Sequence, residues 1–331
     1  MTHITIIGGY GHVGKKIARR LAANPGLTPR LAGRDLTRAR VAAAEIPGAE
    51  VAYLDLARPE SWDAALAGTQ IVVSCLDTPD DRFARAVLSR GLGYADISAT
   101  DAVLRRIEGL DALARSAGAL AVLSLGLAPG LTNLMAAEAV RRLDRVDSVS
   151  IGVLLGLGDS HGTAAIDWTL DTLRPLAPGD IRRLDFASGS VPTIPFDFAD
   201  QHALTRAGLP GVTTRLGLDS PLVTPLSLRL LAAMAQRPWL KALLRWSLPR
   251  FRVGSDRTGL VVTAEGWRDG RPARERLTLD GRGEAEITAL VAAEILARMA
   301  ERRETGVHHL QARWRLDDLA PALTAEGIRL A

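Results

Sequence analysis

An α/β fold is predicted: a doubly wound parallel sheet at the N-terminal end, then a second α/β domain with a mainly antiparallel or mixed sheet. Three observations predict it. Short apolar strands alternate with helix-patterned segments through the first half of the chain, as a parallel sheet requires. A glycine cluster stands between the first strand and the first helix. Beyond residue 145 the pattern changes to longer strands joined by tight-turn pairs such as Asp269-Gly270. The 331 residues suffice for two domains. The expected boundaries are 1–126, 127–300 and a C-terminal segment, 301–331, that returns to the first domain.

Ile4, Ile6 and Ile7 form the first strand, and Gly9-Tyr10-Gly11-His12-Val13-Gly14 follows in G-x-G-x-x-G spacing. Val13, Ile17, Ala18 and Leu21 then recur at helical intervals. This is the arrangement of a Rossmann-type dinucleotide site. Gly9 permits the tight turn, Gly11 admits the backbone to a pyrophosphate, and Gly14 lets the helix lie close to the sheet. The helix N-terminus supplies free N–H groups and a positive dipole for the phosphates.

The second strand, at 29–32, ends in Gly33-Arg34-Asp35. An NAD site places a carboxylate at this strand end for the ribose 2′-hydroxyl, whereas an NADP site meets the 2′-phosphate with arginine. Gly33 occupies the acid's place, Arg34 follows at once, and Arg38 lies one helical turn on. A guanidinium suits a phosphate, so NADP(H) is favoured over NAD(H). Asp35 reads either as the ribose acid, one residue out of register, or as the N-cap of the helix through Arg38. Further strands at 51–54, 71–75, 94–98 and 119–124 alternate with helices at 60–67, 80–90 and from 131 onward. Ligands in such sheets bind beyond the strand C-termini, which groups the loops 9–14, 75–79, 96–98 and 125–130. Asp55, Cys75, Leu76 and Pro129 join the glycine loop, Arg34, Asp35 and Arg38 as cofactor-side candidates.

In the second half, a strand from 145 precedes a helix whose Ala165, Trp168, Thr169 and Leu173 share one apolar face. Strands are expected around 180–198, 212–218, 256–267 and 272–280, with a strong helix closing the domain. Segment 223–251 reads as two apolar, arginine-flanked helices interrupted at Pro238. Core or dimer packing, a pocket lid and a membrane-surface element all fit it. Its apolar residues suffice for an oligomer seam, so a homodimer without membrane contact is expected.

Composition excludes several classes. The net charge of +4 is modest, and arginine supplies nearly all the cations, with lysine only at 15, 16 and 241. No aromatic-studded basic stripe exists to bind nucleic acid. The single cysteine, Cys75, fits a reducing compartment. With no leader-like start and no apolar run of ~20 residues, a cytoplasmic protein with a small-molecule substrate is expected.

GGYGHVG at 8–14, AGRD at 32–35, GYADIS at 93–98, LGLAPGLTNLMA at 125–136 and GVHH at 306–309 together resemble the saccharopine dehydrogenase and reductase family. That family includes homospermidine-synthase-like and carboxynorspermidine-dehydrogenase-like members. The resemblance covers the nucleotide domain well and the substrate domain in outline. It implies hydride transfer between a nicotinamide cofactor and a carbon–nitrogen centre: a secondary amine opened to carbonyl plus amine, or the reverse condensation. Where a better-characterised member has an N-P-P-like strand end, this chain has Cys75-Leu76-Asp77-Thr78-Pro79, which implies a different substrate.

An iminium is positive, so a carboxylate at Asp77 or Asp96 would stabilise it, or relay a proton if burial raised its pKa. Both equally suit loop caps. His161, in GDSHGT at a helix start near Asp159 and Asp167, is a candidate proton donor or anion partner as well as a polar cap. Asn133 can direct its amide at nicotinamide or a substrate carboxylate, or cap its helix. Cys75 has no paired histidine and reads as strand packing. No histidine spacing matches a metal site, and no metal is expected. A C=O or C=C reductase and a non-catalytic nucleotide-binding protein are the alternative readings.

Overall fold

The computed structural model describes residues 1–159, 162–248, 254–301 and 304–331. The chain forms two compact units, Met1–Asn133 with Thr288–Arg315, and Leu134–Ile287 with Leu316–Ala331.

In the first unit, strands β1 (Thr2–Ile7), β2 (Leu27–Gly33), β3 (Glu50–Tyr53), β4 (Ile71–Ser74), β5 (Gly93–Asp96) and β6 (Leu120–Leu123) alternate with helices. The helices are α1 (His12–Ala22), α2 (Leu36–Ala44), α3 (Trp62–Leu66), α4 (Arg82–Leu88), α5 (Asp101–Glu108) and α6 (Asp111–Ser116). Their sheet runs 3-2-1-4-5-6 in strand order with every pair parallel. Ile4, Ile6, Leu31, Val72, Val73, Ala95 and Val122 are fully buried. Such strands must be covered on both faces, which is why they read as unbroken apolar runs rather than as alternating ones. The strand order reverses between β1 and β4, and the crevice at such a switch point is where these sheets hold ligands.

The chain leaves the first unit within α7 (Leu131–Arg141). The second unit contains β7 (Arg145–Gly156), α8 (Thr163–Thr172), β8 (Arg182–Phe186), β9 (Gly189–Pro195), α9 (Ala199–Arg206) and β10 (Val212–Asp219). Helices α10 (Pro225–Ala235) and α11 (Pro238–Ser247) precede the hairpin β11 (Arg257–Arg268) and β12 (Arg271–Arg282). Asp269 and Gly270 both adopt positive φ, +52° and +72°, as a tight hairpin turn demands. The sheet is mixed: β7 and β10 pair in parallel, while β8–β9, β9–β10, β7–β11 and β11–β12 are antiparallel. Trp168 on α8 packs against Phe196 and Phe198, both with ring centroids 5.3 Å away. Of the face that the spacing anticipates, Leu173 is buried and Trp168 and Thr169 are half-buried, whereas Ala165 is exposed.

Helix α12 (Glu284–Glu301) carries the chain back, and the C-terminal segment then divides. Strand β13 (Gly306–His309) adds a seventh parallel strand beside β6. After it, α13 (Leu316–Ala325) and β14 (Arg329–Leu330) belong to the second unit, where Leu330 pairs with Leu279 of β12. The expected return of all of 301–331 to the first domain therefore needs correction. Apolar Leu316, Leu319 and Leu323 are buried on α13, and that one face, followed by a two-residue strand, keeps the tail with the second sheet.

Candidate active site

The glycine loop is built of contacts that leave no room for side chains. Gly8 donates its N–H to Ala32 O (3.0 Å) and Gly11 donates to Gly8 O (2.8 Å), closing the turn after β1. A Cβ on Gly14 would lie 2.4 Å from Gly8 O and 2.8 Å from Gly9 Cα, and one on Gly9 would lie 2.8 Å from Leu31 Cα. Helix α1 is thereby pressed onto the loop that precedes it. Its N-cap, Gly11, offers no side-chain cap, and its first turn, which includes His12 and Val13, carries no acid. The helix N-terminus therefore presents donors and positive dipole with no competing carboxylate of its own, which fits a pyrophosphate.

The end of β2 is organised by Tyr10. A Cβ on Gly33 would meet the Tyr10 ring at 2.5 Å, so the ring occupies the place of the ribose acid. Arg38 sits over the other side of this corner, its guanidinium carbon 5.2 Å from the Tyr10 centroid. Asp35 caps α2 by accepting the Arg38 N–H at 3.0 Å, so its carboxylate is turned to the helix. Arg34 is exposed, with no carboxylate partner among the described residues. Asp55, after β3, accepts the N–H of Ala57 at 3.0 Å.

Across the switch point, Cys75 donates its N–H to Ile7 O at 3.1 Å, and exposed Leu76 lies 3.0 Å from where a Gly8 Cβ would stand. The two candidate acids take different places. Asp77 is exposed, and both its oxygens are held: Oδ1 accepts the Ser98 hydroxyl (2.6 Å) and Oδ2 the Thr100 hydroxyl (2.5 Å). Asp96 is fully buried, its Oδ2 accepting from Tyr94 Oη at 2.9 Å and its Oδ1 from the Ser98 N–H at 2.8 Å. Loss of hydration pushes its carboxyl up to about 7, against the pull of the Ser98 and Tyr94 hydrogen bonds and with a push from the charge of Asp77. Burial, and then the charge of Asp96, raises the Tyr94 hydroxyl well above its ordinary value and likewise raises the Cys75 thiol. A thiol so held stays protonated and is a poor nucleophile.

The loop after β6 is tied down from three sides. Ser124, fully buried with φ +59°, has its hydroxyl 2.8 Å from His309 Nδ1, and His309 Nε2 lies 2.8 Å from Glu108 Oε1. Gly130 (φ +143°) sits where a Cβ would be 1.9 Å from Gly126 O. Leu127 donates its N–H to Thr288 Oγ1 at 3.3 Å, and Pro129 follows a cis peptide bond. Asn133 is fully buried and accepts the Gly130 N–H at 3.0 Å, so the capping role is the one observed, while its Nδ2 has no partner among the described residues.

The strand ends thus bring together the glycine loop, Arg34, Arg38, Cys75, Leu76, Asp77 and, beneath them, Asp96. His161 lies outside the described residues. Asp167 pairs with Arg245 at 2.7 Å. Among the described residues no group of three His, Cys, Asp or Glu side chains could hold a metal ion. Ser124, Glu108 and Tyr94 escape sequence reasoning, because each acquires its role only through a partner on another strand or helix. For His309 the one signal is the GVHH resemblance.

Residues 8–169 match the family described as NAD(P)H-binding. Saccharopine dehydrogenase (L-Glu forming) from Saccharomyces cerevisiae is similar over 100% of this chain and 99% of its own, with a TM-score of 0.65 at 14% identity. The DAP dehydrogenase of C. glutamicum, solved in complex with DAP, is similar over 97% of this chain and 98% of its own (TM-score 0.54, 16% identity). An engineered D-amino acid dehydrogenase bound to NADP+ is similar over 97% and 98% (TM-score 0.52, 15% identity). At such identities the likeness is one of fold. The N-terminal part of the chain thus matches an NAD(P)H-binding family, and the whole chain shares its fold with saccharopine and amino-acid dehydrogenases.

Proposed function

We propose that this chain is an NADP(H)-dependent oxidoreductase of saccharopine dehydrogenase type, acting on a C–N centre, imine or secondary amine, of a small metabolite. The observation that carries the reading is Asp77, an exposed carboxylate fixed by two hydroxyls at the switch point beside the glycine loop. A nicotinamide bound at the glycine loop would supply or accept the hydride. Asp77 would stabilise a carbon–nitrogen centre that is cationic as an iminium: a unit charge about 4 Å away attracts it by roughly 1–4 kcal/mol in water-like to surface-like surroundings. A neutral carbonyl or alkene gains no comparable attraction, which favours C–N chemistry over the alternatives. Asp96 acts as a positioning residue: it holds the backbone of Ser98, whose hydroxyl in turn aims Asp77.

Cofactor choice rests on the corner at β2. With Tyr10 over Gly33 and Asp35 committed to its cap, Arg34 and Arg38 are the groups left to meet a 2′-phosphate. Fluorescence titration tests this. Arg34→Ala is expected to weaken NADPH binding by roughly tenfold to a hundredfold, the loss of one charge-assisted contact, and to leave NADH binding unchanged. Equal affinity of the wild-type protein for both cofactors would remove the NADP assignment. Asp77→Asn is expected to lower kcat by roughly fivefold to several hundredfold, the loss of that attraction, with unaltered NADPH affinity. Steady-state kinetics with amine and 2-oxo acid pairs reads that change.

A further inference from the structure

Helices α10 and α11 are seated by Leu228, Ala232, Ala235 and Leu244, which are buried. Their outer side is apolar as well. Leu226 and Leu230 stand four residues apart on α10, and Trp239, Leu243 and Trp246 form an i, i+4, i+7 stripe on α11. All five are exposed, Leu226 at 75% and Trp239 at 70%. Isolated exposed leucines are ordinary in proteins, but such stripes on two consecutive helices, with two tryptophans among them, mark a surface that meets something.

Charge decides what it meets. From Ser220 to Leu248 the sequence contains Arg229, Arg237, Lys241 and Arg245, and no Asp or Glu. Lys241 and Arg245 are paired with Asp171 and Asp167 of α8. Arg229 and Arg237 are exposed and have no carboxylate partner among the described residues, so the uncompensated charge beside the stripe is positive. A second copy docked face to face would set these cations against their own images, whereas an anionic surface neutralises them. Tryptophan, leucine and arginine so disposed on short amphipathic helices suit the headgroup boundary of a bilayer. No helix of the described residues is long and apolar enough to cross one. We propose that the outer face of α10 and α11 docks onto an anionic phospholipid bilayer, the two helices lying in its surface. This departs from the oligomer seam that the sequence favours, and it does so on the exposure and the unpaired arginines together.

Vesicle flotation with the full chain tests it, using phosphatidylcholine with and without phosphatidylglycerol. The protein is expected to float with the anionic vesicles about thirtyfold more strongly than with the neutral ones, the gain that two basic residues contribute near such a surface. Trp239→Ser with Trp246→Ser, and separately Leu226→Ser with Leu230→Ser, are expected to abolish flotation while circular dichroism and NADPH binding stay as in wild type. Arg229→Gln with Arg237→Gln, which leaves the apolar face whole, is expected to erase the preference for anionic vesicles. Failure of the wild type to float, or equal flotation with neutral and anionic vesicles, overturns the proposal. So does a dimer in sedimentation velocity that the serine variants dissociate, since a second copy would then be the occupant.

Discussion

Gly14→Ala yields a protein that folds and binds NADPH at least about a hundredfold more weakly than the wild type. The added methyl would lie 2.4 Å from Gly8 O and 2.8 Å from Gly9 Cα, and both are backbone atoms of the loop rather than side chains able to swing aside. Either α1 withdraws from the loop or the loop distorts. Overpacking of this kind costs about 1–3 kcal/mol, which an apolar sheet covered on both faces tolerates. Binding does not tolerate it, because the same displacement moves the N–H groups of the helix N-terminus away from the pyrophosphate. Each charge-assisted hydrogen bond contributes roughly 1.5–3 kcal/mol, so losing two corresponds to a fall in affinity of at least about a hundredfold. Titration of NADPH fluorescence checks the affinity and thermal unfolding checks the fold. Wild-type affinity in this variant would mean that the dinucleotide does not lie on this loop.

The second large effect is a pH dependence of stability centred on Asp96. In the unfolded chain this carboxyl titrates at its ordinary value of 3.8, whereas in the folded protein burial pushes it up to about 7. Between those values the native state holds a proton that the unfolded state has lost, so folding takes up a proton and stability falls as pH rises. The contribution of Asp96 is most favourable below about pH 4, declines through the interval and levels off above about pH 7. Its span is on the order of 4 kcal/mol. Asp96→Asn mimics the protonated form: its carbonyl can accept the Ser98 N–H and its amide can donate to Tyr94 Oη. Urea unfolding at pH 5 and pH 8 is expected to show the wild type losing stability relative to Asp96→Asn at the higher pH. Parallel behaviour of the two proteins would show that Asp96 is not buried as a charge.

How much of this is legible in the sequence depends on the range of the interaction. The glycine loop, the cap at Asp35 and the tight turn at Asp269-Gly270 are local, and their residue types state their geometry. The parallel strands of the first unit are equally plain, since Ile4, Val72 and Val122 belong to apolar runs too short for helices. Placement of Asp77 and Asp96 at strand ends is legible too. Which of them is exposed is not, because that depends on the register pairing Ser74 with Asp96 and on Tyr94 beneath. Tyr10 reads as a filler position in the G-x-G-x-x-G spacing, yet its ring determines what can stand at the end of β2. The Ser124–His309–Glu108 chain joins residues 185 and 201 positions apart and leaves no local pattern. Strand β14, two residues long, has no periodicity to read, and its pairing with β12 emerges only in three dimensions.

The central claim, hydride transfer at a carbon bonded to nitrogen, is tested most directly by isotope transfer. The protein is incubated with NADPH deuterated at the transferring position and with pairs of amines and 2-oxo acids, and the products are read by mass spectrometry. Deuterium on the carbon next to nitrogen in a secondary amine product, lost in Asp77→Asn, is the predicted result. Deuterium delivered instead to an alcohol carbon or to a saturated carbon–carbon bond would contradict it.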